Sequence, residues 1–192
     1  MEKSGFDFLK SKFNVSKETF LILKSLSIVK TIKSGEKTVQ QGGMNNKLYL
    51  LTSGLMRSFR VSESGKEYSK NIYSPVSFVG PLSSILTKQP SLLAYEALTD
   101  CVVYEMNFVD FYNLTQSSVE FSNVYNRVLE YLFLIYESKY LEAITYNATE
   151  RYQLLKTRIP DIDEQIAQYK IASYLNITPV QLSRIRKDLK QN

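Results

Sequence analysis

The spacing of apolar residues changes twice along the chain. From Phe6 to about residue 30, Phe6, Leu9 and Phe13, then Phe20, Leu23 and Leu26, recur every three or four positions, which predicts helix. "NVSKE" interrupts the pattern, with Ser16 placed to cap a second helix. From Val29 to Met106 the pattern becomes short β-prone runs divided by turn pairs: Ser34-Gly35, Gly42-Gly43, Ser53-Gly54 and Ser64-Gly65. Many short strands so divided predict an antiparallel sandwich or barrel. Gly65, between "SFRVS" and "KEYSKNIY", reads as a hairpin tip. Helical spacing returns at Asp110, first in "DFYNLTQ" and then in a Gly- and Pro-free stretch from Ser117 to Asn147. A helix of about 27 residues there would span roughly 40 Å.

Phe121, Val124, Val128, Tyr131 or Leu132, and Ile135 form an apolar stripe on that long helix. A helix of this length outreaches a small barrel. A parallel copy in a second subunit is the expected cover, making the protein a homodimer through Phe121, Val124, Val128, Tyr131 and Ile135. Packing of the stripe wholly within its own domain is the other reading.

Beyond the long helix, Asn147 and Glu150 have the spacing of a capping box, and Pro160 should end the helix they start. In "IASYLNITPVQLSRIRKDLKQN", Thr178 can cap, Pro179 suits the first helical turn, and Gln181 stands three residues past the cap. Two helices then flank the three-residue turn Asn176-Ile177-Thr178, the outline of a helix-turn-helix. At 100° per residue, Leu182, Ile185 and Leu189 share the inward side. Val180, Ser183, Arg184 and Lys187 lie opposite, with Gln181 and Arg186 on the flanks. An exposed arginine can read guanine bidentately, and lysines suit phosphates. The candidate DNA-contacting set is Thr178, Val180, Gln181, Ser183, Arg184, Arg186, Lys187 and Lys190, with Arg184 on a base and Lys187 and Lys190 on phosphate. Alternatively, these cations only complement the dipole of a solvated helix.

Composition narrows the chemistry. Of 192 residues, 44% are hydrophobic, enough for a core. Net charge is +5, distributed unevenly: residues 1–109 carry 14 cations and 9 anions, 110–146 carry 2 and 5, and 147–192 carry 8 and 5. The middle is acidic and the tail basic. There is no histidine and one cysteine, Cys101. Imidazole acid–base chemistry, imidazole metal sites, histidine-ligated haem and an iron–sulfur cluster ligated within one chain are thereby excluded. With no nucleophile elbow, P-loop or metal-ligand spacing, the protein is not expected to be an enzyme, and no cofactor is expected. Cys101 reads as a small buried hydrophobe in a strand. A lone thiol fits a reducing cytoplasm. The start "MEKSGFDFLKSKF" lacks the apolar core of a signal peptide, and no apolar run is long enough for a membrane span.

The order of helix, β-region, long helix and helix-turn-helix resembles the Crp/Fnr family of bacterial transcription regulators over nearly the full length. The best local matches are "LYLLTSGLMRSF", "ALTDCVVYEM", "ATERYQLL" and "IASYLNITPVQLSRIRK". The resemblance implies an α+β fold: an N-terminal cyclic-nucleotide-binding-like antiparallel β-roll (1–116), a dimerisation helix (117–146) and a small helix-turn-helix domain (147–192). It implies double-stranded DNA as partner, Arg184 at a base-contacting position, and RNA polymerase as a further candidate partner.

The chain departs from the family pattern in three places. Cyclic-nucleotide binders of this fold carry a Phe-Gly-Glu-like turn and a downstream arginine on the phosphate. Here "FVGPLSS" puts Pro81 in place of the acid, "PSLLAYEAL" puts Ser91 near the arginine position, and no arginine occurs between Arg60 and Arg127. Lys88 is a poor substitute for a planar fork, so the roll is expected to have lost cyclic-nucleotide binding. The histidine- and cysteine-based sensing modes of relatives lack their ligands. Only Lys190-Gln191-Asn192 could follow the second helix, so the usual β-hairpin wing is expected to be absent. A pocket for an unidentified small-molecule effector is expected by fold analogy at Phe78, Gly80, Pro81, Leu82, Ser83, Ser84, Leu92 and Tyr95. The competing reading is a ligand-binding signalling module whose terminal helices contact protein.

Overall fold

The computed structural model describes residues 2–191; Met1 and Asn192 lie outside the described residues. Two helices open the chain, α1 (Glu2–Phe13) and α2 (Lys17–Ser25). Ser16 Oγ accepts a hydrogen bond from Thr19 N at 3.0 Å and caps α2. The helix ends at Ser25, short of residue 30. Ile28, Val29, Thr31 and Ile32 then run as strand β1 (Ser27–Ile32), where β-branched side chains fit a pleated surface.

Seven further strands follow: β2 (Lys37–Val39), β3 (Lys47–Ser53), β4 (Met56–Val61), β5 (Glu67–Tyr73), β6 (Ser77–Val79), β7 (Ala94–Ala97) and β8 (Cys101–Asn107), with the short helix α3 (Leu82–Thr87) after β6. They form two antiparallel four-stranded sheets, ordered β1-β8-β3-β6 and β2-β7-β4-β5. Gly65 stands at the β4–β5 hairpin tip with φ +79°. At Gly54, φ is +84°, and a Cβ there would lie 2.3 Å from the carbonyl oxygen of Asp100, so only glycine fits the β3–β4 turn. The space between the sheets is filled by Tyr49, Leu51, Met56, Tyr73, Val79, Tyr95, Ala97, Cys101 and Val103, among others. Cys101 is fully buried on β8, and burial pushes its thiol pKa up, as suits an inert core residue.

Helix α4 (Phe108–Ser117) leads into α5 (Val119–Thr145), 27 residues long. The stripe expected to be the dimer seam instead faces the chain's own body. Phe121 and Val124 are buried; Val128 and Tyr131 pack with Leu9, Phe13 and Val15; Ile135 lines an internal cleft. The rings of Phe13 and Phe8 lie 5.4 and 6.1 Å from Tyr131, and Arg127 Nη1 donates to the Phe13 carbonyl at 2.8 Å. The physical reason is that helices of the same chain supply the cover that a barrel alone could not: α1 and α2 over Val124, Val128 and Tyr131, and α4 over Phe121. The opposite face of α5 stays uncovered: Phe133, Tyr140 and Ile144 are 65%, 67% and 61% exposed, with Leu134 and Leu141 beside them. At 100° per residue these three lie within about 40° of one another and about 180° from Val124 and Ile135.

The C-terminal part comprises α6 (Ala148–Arg158), α7 (Ile162–Gln165), α8 (Gln168–Leu175) and α9 (Pro179–Gln191). The capping box of α6 is formed: Asn147 Oδ1 accepts from Glu150 N and Glu150 Oε2 from Asn147 N. The core of these helices is shared with the roll. Leu55, Ile72 and Leu98 pack with Tyr152, Leu155, Ile159, Ile162, Ile171, Leu175 and Leu182.

Candidate functional site

The α8–turn–α9 unit is built from local signals. Asn176 ends α8 in the left-handed region, φ +54°, and Arg151 Nη2 donates to the Leu175 carbonyl at 2.9 Å. Thr178 Oγ1 accepts from Gln181 N at 3.2 Å while Gln181 Oε1 accepts from Thr178 N at 2.8 Å, a reciprocal cap on α9. Leu182 is fully buried, and Ile185 and Leu189 pack beside it on the shared core. This fixes the roll of the helix. Val180, Ser183, Arg184, Lys187 and Lys190 are exposed along its outer side.

Arg186 departs from that set. Its side chain turns inward, where Nη2 pairs with Asp163 Oδ1 and Nε donates to Tyr152 Oη at 3.2 Å. Tyr152 in turn hydrogen-bonds Asp163. Burial and the Asp163 carboxylate push the Tyr152 phenol up to about 12. Arg186 is therefore a residue that ties α9 to α6 and α7. Thr178 and Gln181 are exposed but spend their side chains on the cap.

Helix α8 is seated on the second sheet. Arg57, only 2% exposed, donates from Nη2 to Glu96 Oε2 at 2.9 Å and pairs with Glu67 at 2.7 Å, while its guanidinium lies 3.9 Å from the centre of the Phe59 ring. Lys170 of α8 pairs with the other oxygen of Glu96. Burial pushes the Glu96 carboxyl up, but Lys170 and Arg57 outweigh it and hold it below the usual range.

The residues expected to form an effector pocket are dispersed. Phe78, Gly80 and Leu82 line an apolar cavity of about 130 Å³ between the first sheet and α1, α2, α4 and α5. Pro81 is buried at the start of α3, Ser83 is exposed, and Ser84 hydrogen-bonds the Gln89 carbonyl. Leu92 is exposed, and Tyr95 belongs to the roll core. Ser91, near the place expected for an arginine in cyclic-nucleotide binders of this fold, donates to the Leu93 carbonyl at 2.7 Å. Tyr73 and Tyr95 fill part of the core between the sheets, and burial pushes both phenols up, Tyr73 to about 12.

The profile of the cyclic nucleotide-binding domain matches residues 29–118. Solved structures align with nearly the whole chain. The c-di-GMP responsive global regulator CLP of Xanthomonas campestris has a TM-score of 0.68 at 14% identity, covering 92% of both chains. A protein of Eubacterium rectale described as a transcriptional regulator of the Crp/Fnr family has 0.69 at 16%, covering 92% of this chain and 84% of that one. FixK2 of Bradyrhizobium japonicum has 0.67 at 18%, covering 86% and 85%. This chain has the fold of these Crp/Fnr structures, and its residues 29–118 match the cyclic nucleotide-binding domain. At these identities the likeness to solved structures is one of fold. No curated protein matches the chain significantly.

Within this fold, the two helices and the turn of the helix-turn-helix stand where the sequence predicts them, with Arg184, Lys187 and Lys190 exposed and Arg186 drawn inward. The sequence did not reveal the Arg57–Glu96–Lys170 bridge, whose members lie 39 and 74 positions apart and have no common local pattern. Lys139 was also passed over, although it is one of only two cations between residues 110 and 146. That isolation was a signal. Among the described residues, no helix is long and apolar enough to cross a membrane.

Proposed function

We propose that the protein is a dimeric DNA-binding transcription regulator that inserts α9 into the major groove. The observation carrying this reading is the outer side of α9. Its roll is fixed by Leu182, and it presents Arg184 flanked by Val180 and Ser183, with Lys187 and Lys190 one and two turns on. Arg184 reads a base, preferably guanine, and the lysines hold phosphates. Arg186 is left out of the contact set because Asp163 and Tyr152 occupy it. The dimer forms along the exposed side of α5, where Phe133, Tyr140 and Ile144 have no cover within the chain, and sets two α9 helices in successive grooves.

The roll does not bind cyclic nucleotides in this reading. Pro81 and Ser91 replace the acid and the arginine, Tyr73 and Tyr95 occupy the interior, and Arg57 is held by two carboxylates on the face that carries α8.

The test is fluorescence anisotropy with duplexes obtained by genomic selection. Arg184→Ala should cost on the order of 1–3 kcal/mol on the preferred site and relax preference at one base pair. Lys187→Ala should weaken all duplexes about equally and make the salt dependence shallower. Absence of salt-dependent duplex binding by the wild type would overturn the reading in favour of a signalling module that uses α9 on protein.

A further inference from the structure

Where β5, α5, α6 and α8 meet, the molecule leaves a cleft of about 310 Å³, open on the side of Tyr136 and Arg158, within the range of small-molecule pockets. It lies outside the roll interior. Phe78, Ile135 and Ile159 form an apolar floor; Lys139, Arg158, Asn71 and Tyr174 gather the polar groups at one end.

The charges of this cleft do not balance. Lys139 hydrogen-bonds the Asn71 amide oxygen and is in no ion pair among the described residues. Arg158 holds Glu142, with Nη1 to Oε2 at 2.9 Å. On β5, Lys70 sets its ammonium 4.9 Å from the centre of the Tyr136 ring. Two cations of the cleft, Lys139 and Arg158, thus share one carboxylate, with exposed Lys70 outside the lining and the phenols of Tyr136 and Tyr174 alongside. Burial, with the nearby charges of Arg158 and Lys70 and against that of Glu142, pushes the Lys139 ammonium down to about 8. A half-buried ammonium whose neighbouring carboxylate, Glu142, is committed to Arg158 is costly, and a bound anion would supply it a partner.

We propose that this cleft binds a small organic anion, its carboxylate or phosphate head at Lys139 and Arg158 and its apolar body on Phe78, Ile135 and Ile159. The walls come from the roll (Asn71), the long helix (Lys139) and the C-terminal helices (Arg158, Tyr174). An occupant therefore contacts all three and strengthens the seating of α6 and α8 on the roll, with a free energy set by its concentration relative to its Kd. The inference does not require that α9 bind DNA.

Two dyes with the same body test it on the full chain: anilinonaphthalene sulfonate, whose anion does not titrate near neutrality, and neutral phenylnaphthylamine. The sulfonate should enhance its fluorescence saturably, at about one site per chain. Lys139→Met should weaken it about 10- to 100-fold, the worth of one charge-assisted hydrogen bond, and leave the neutral dye nearly unaffected. Wild-type affinity for the sulfonate should fall between about pH 7 and about pH 9.5 as Lys139 loses its proton, and Lys139→Met should not show this fall. Ile135→Trp, which keeps every charge and fills the floor, should exclude both dyes. Displacement of the sulfonate by phenyl phosphate or by phenylpropionate identifies the head group; displacement by neither overturns the proposal. Unchanged sulfonate affinity in a folded Lys139→Met, or an equal loss of both dyes, overturns it as well. If Lys139→Met unfolds, Ile135→Trp decides: sulfonate binding that survives it overturns the proposal.

Discussion

Ser173 Oγ lies 2.9 Å from the amide nitrogen of Ser69 and 2.9 Å from the carbonyl oxygen of Glu67. Accepting from one and donating to the other, a single hydroxyl on α8 pairs the open edge of β5, the outermost strand of its sheet. The helix-turn-helix is thereby joined to the roll through backbone groups as well as through Lys170 and Glu96. Ser173→Ala would leave both partners without their bond. It should lower stability by about 1–3 kcal/mol, read as a shift in the urea midpoint. An unchanged midpoint would mean that water replaces the hydroxyl and that the seating is held by the Lys170–Glu96 pair and by Leu55, Ile72 and Leu98.

The two sides of α5 should respond differently to charge. Phe133→Glu with Ile144→Glu places carboxylates on the uncovered side and should give a folded monomer by light scattering. Val128→Glu with Ile135→Glu places them against Leu9, Phe13 and the cleft, and should cost several kcal/mol of fold stability. A wild type that is monomeric at micromolar concentration would refute the dimer.

Arg184 and Arg186 are two residues apart and should behave as opposites. Arg186→Ala strips Asp163 and Tyr152 of their shared cation and should destabilise the C-terminal helices by about 1–3 kcal/mol, with only Lys156, 3.4 Å from Asp163, left as a partial substitute. Arg184→Ala should leave the melting temperature unchanged, since its side chain is exposed. Equal thermal effects for the two variants would contradict the placement of Arg186.

Lys139 makes stability depend on pH in a defined direction. Its pKa is about 8 in the folded chain, below the unfolded value of about 10.4. Between those values the unfolded chain binds more protons, so stability rises with pH; the penalty is full below about pH 8 and relieved toward pH 10.4. The gain across the window should be about 1–3 kcal/mol. Lys139→Met should abolish it, and equal slopes for wild type and variant between about pH 8 and pH 10 would refute the assignment.

What the sequence determined by itself is the set of elements whose causes are local. The caps at Ser16, Asn147 and Thr178, the glycine turns at Gly54 and Gly65, and the inward triad Leu182, Ile185 and Leu189 each depend on residues a few positions apart, and each appears in the structure as read. Tertiary structure decided which side of a helix finds a partner. The stripe from Phe121 to Ile135 was legible as apolar, but α1 and α2, from the other end of the sequence, cover its middle and α4 covers Phe121, and periodicity carries no information about what fills the opposite side. Arg186 has the spacing of a flank position, and whether its side chain turns outward or inward was decided by Asp163 and Tyr152, which draw it in. Lys139, Arg158, Asn71 and Tyr174 gain their common electrostatic setting only because α6 and α8 close over β5. Charge, unlike a cap or a turn, acts through space, so its consequences had to await the fold.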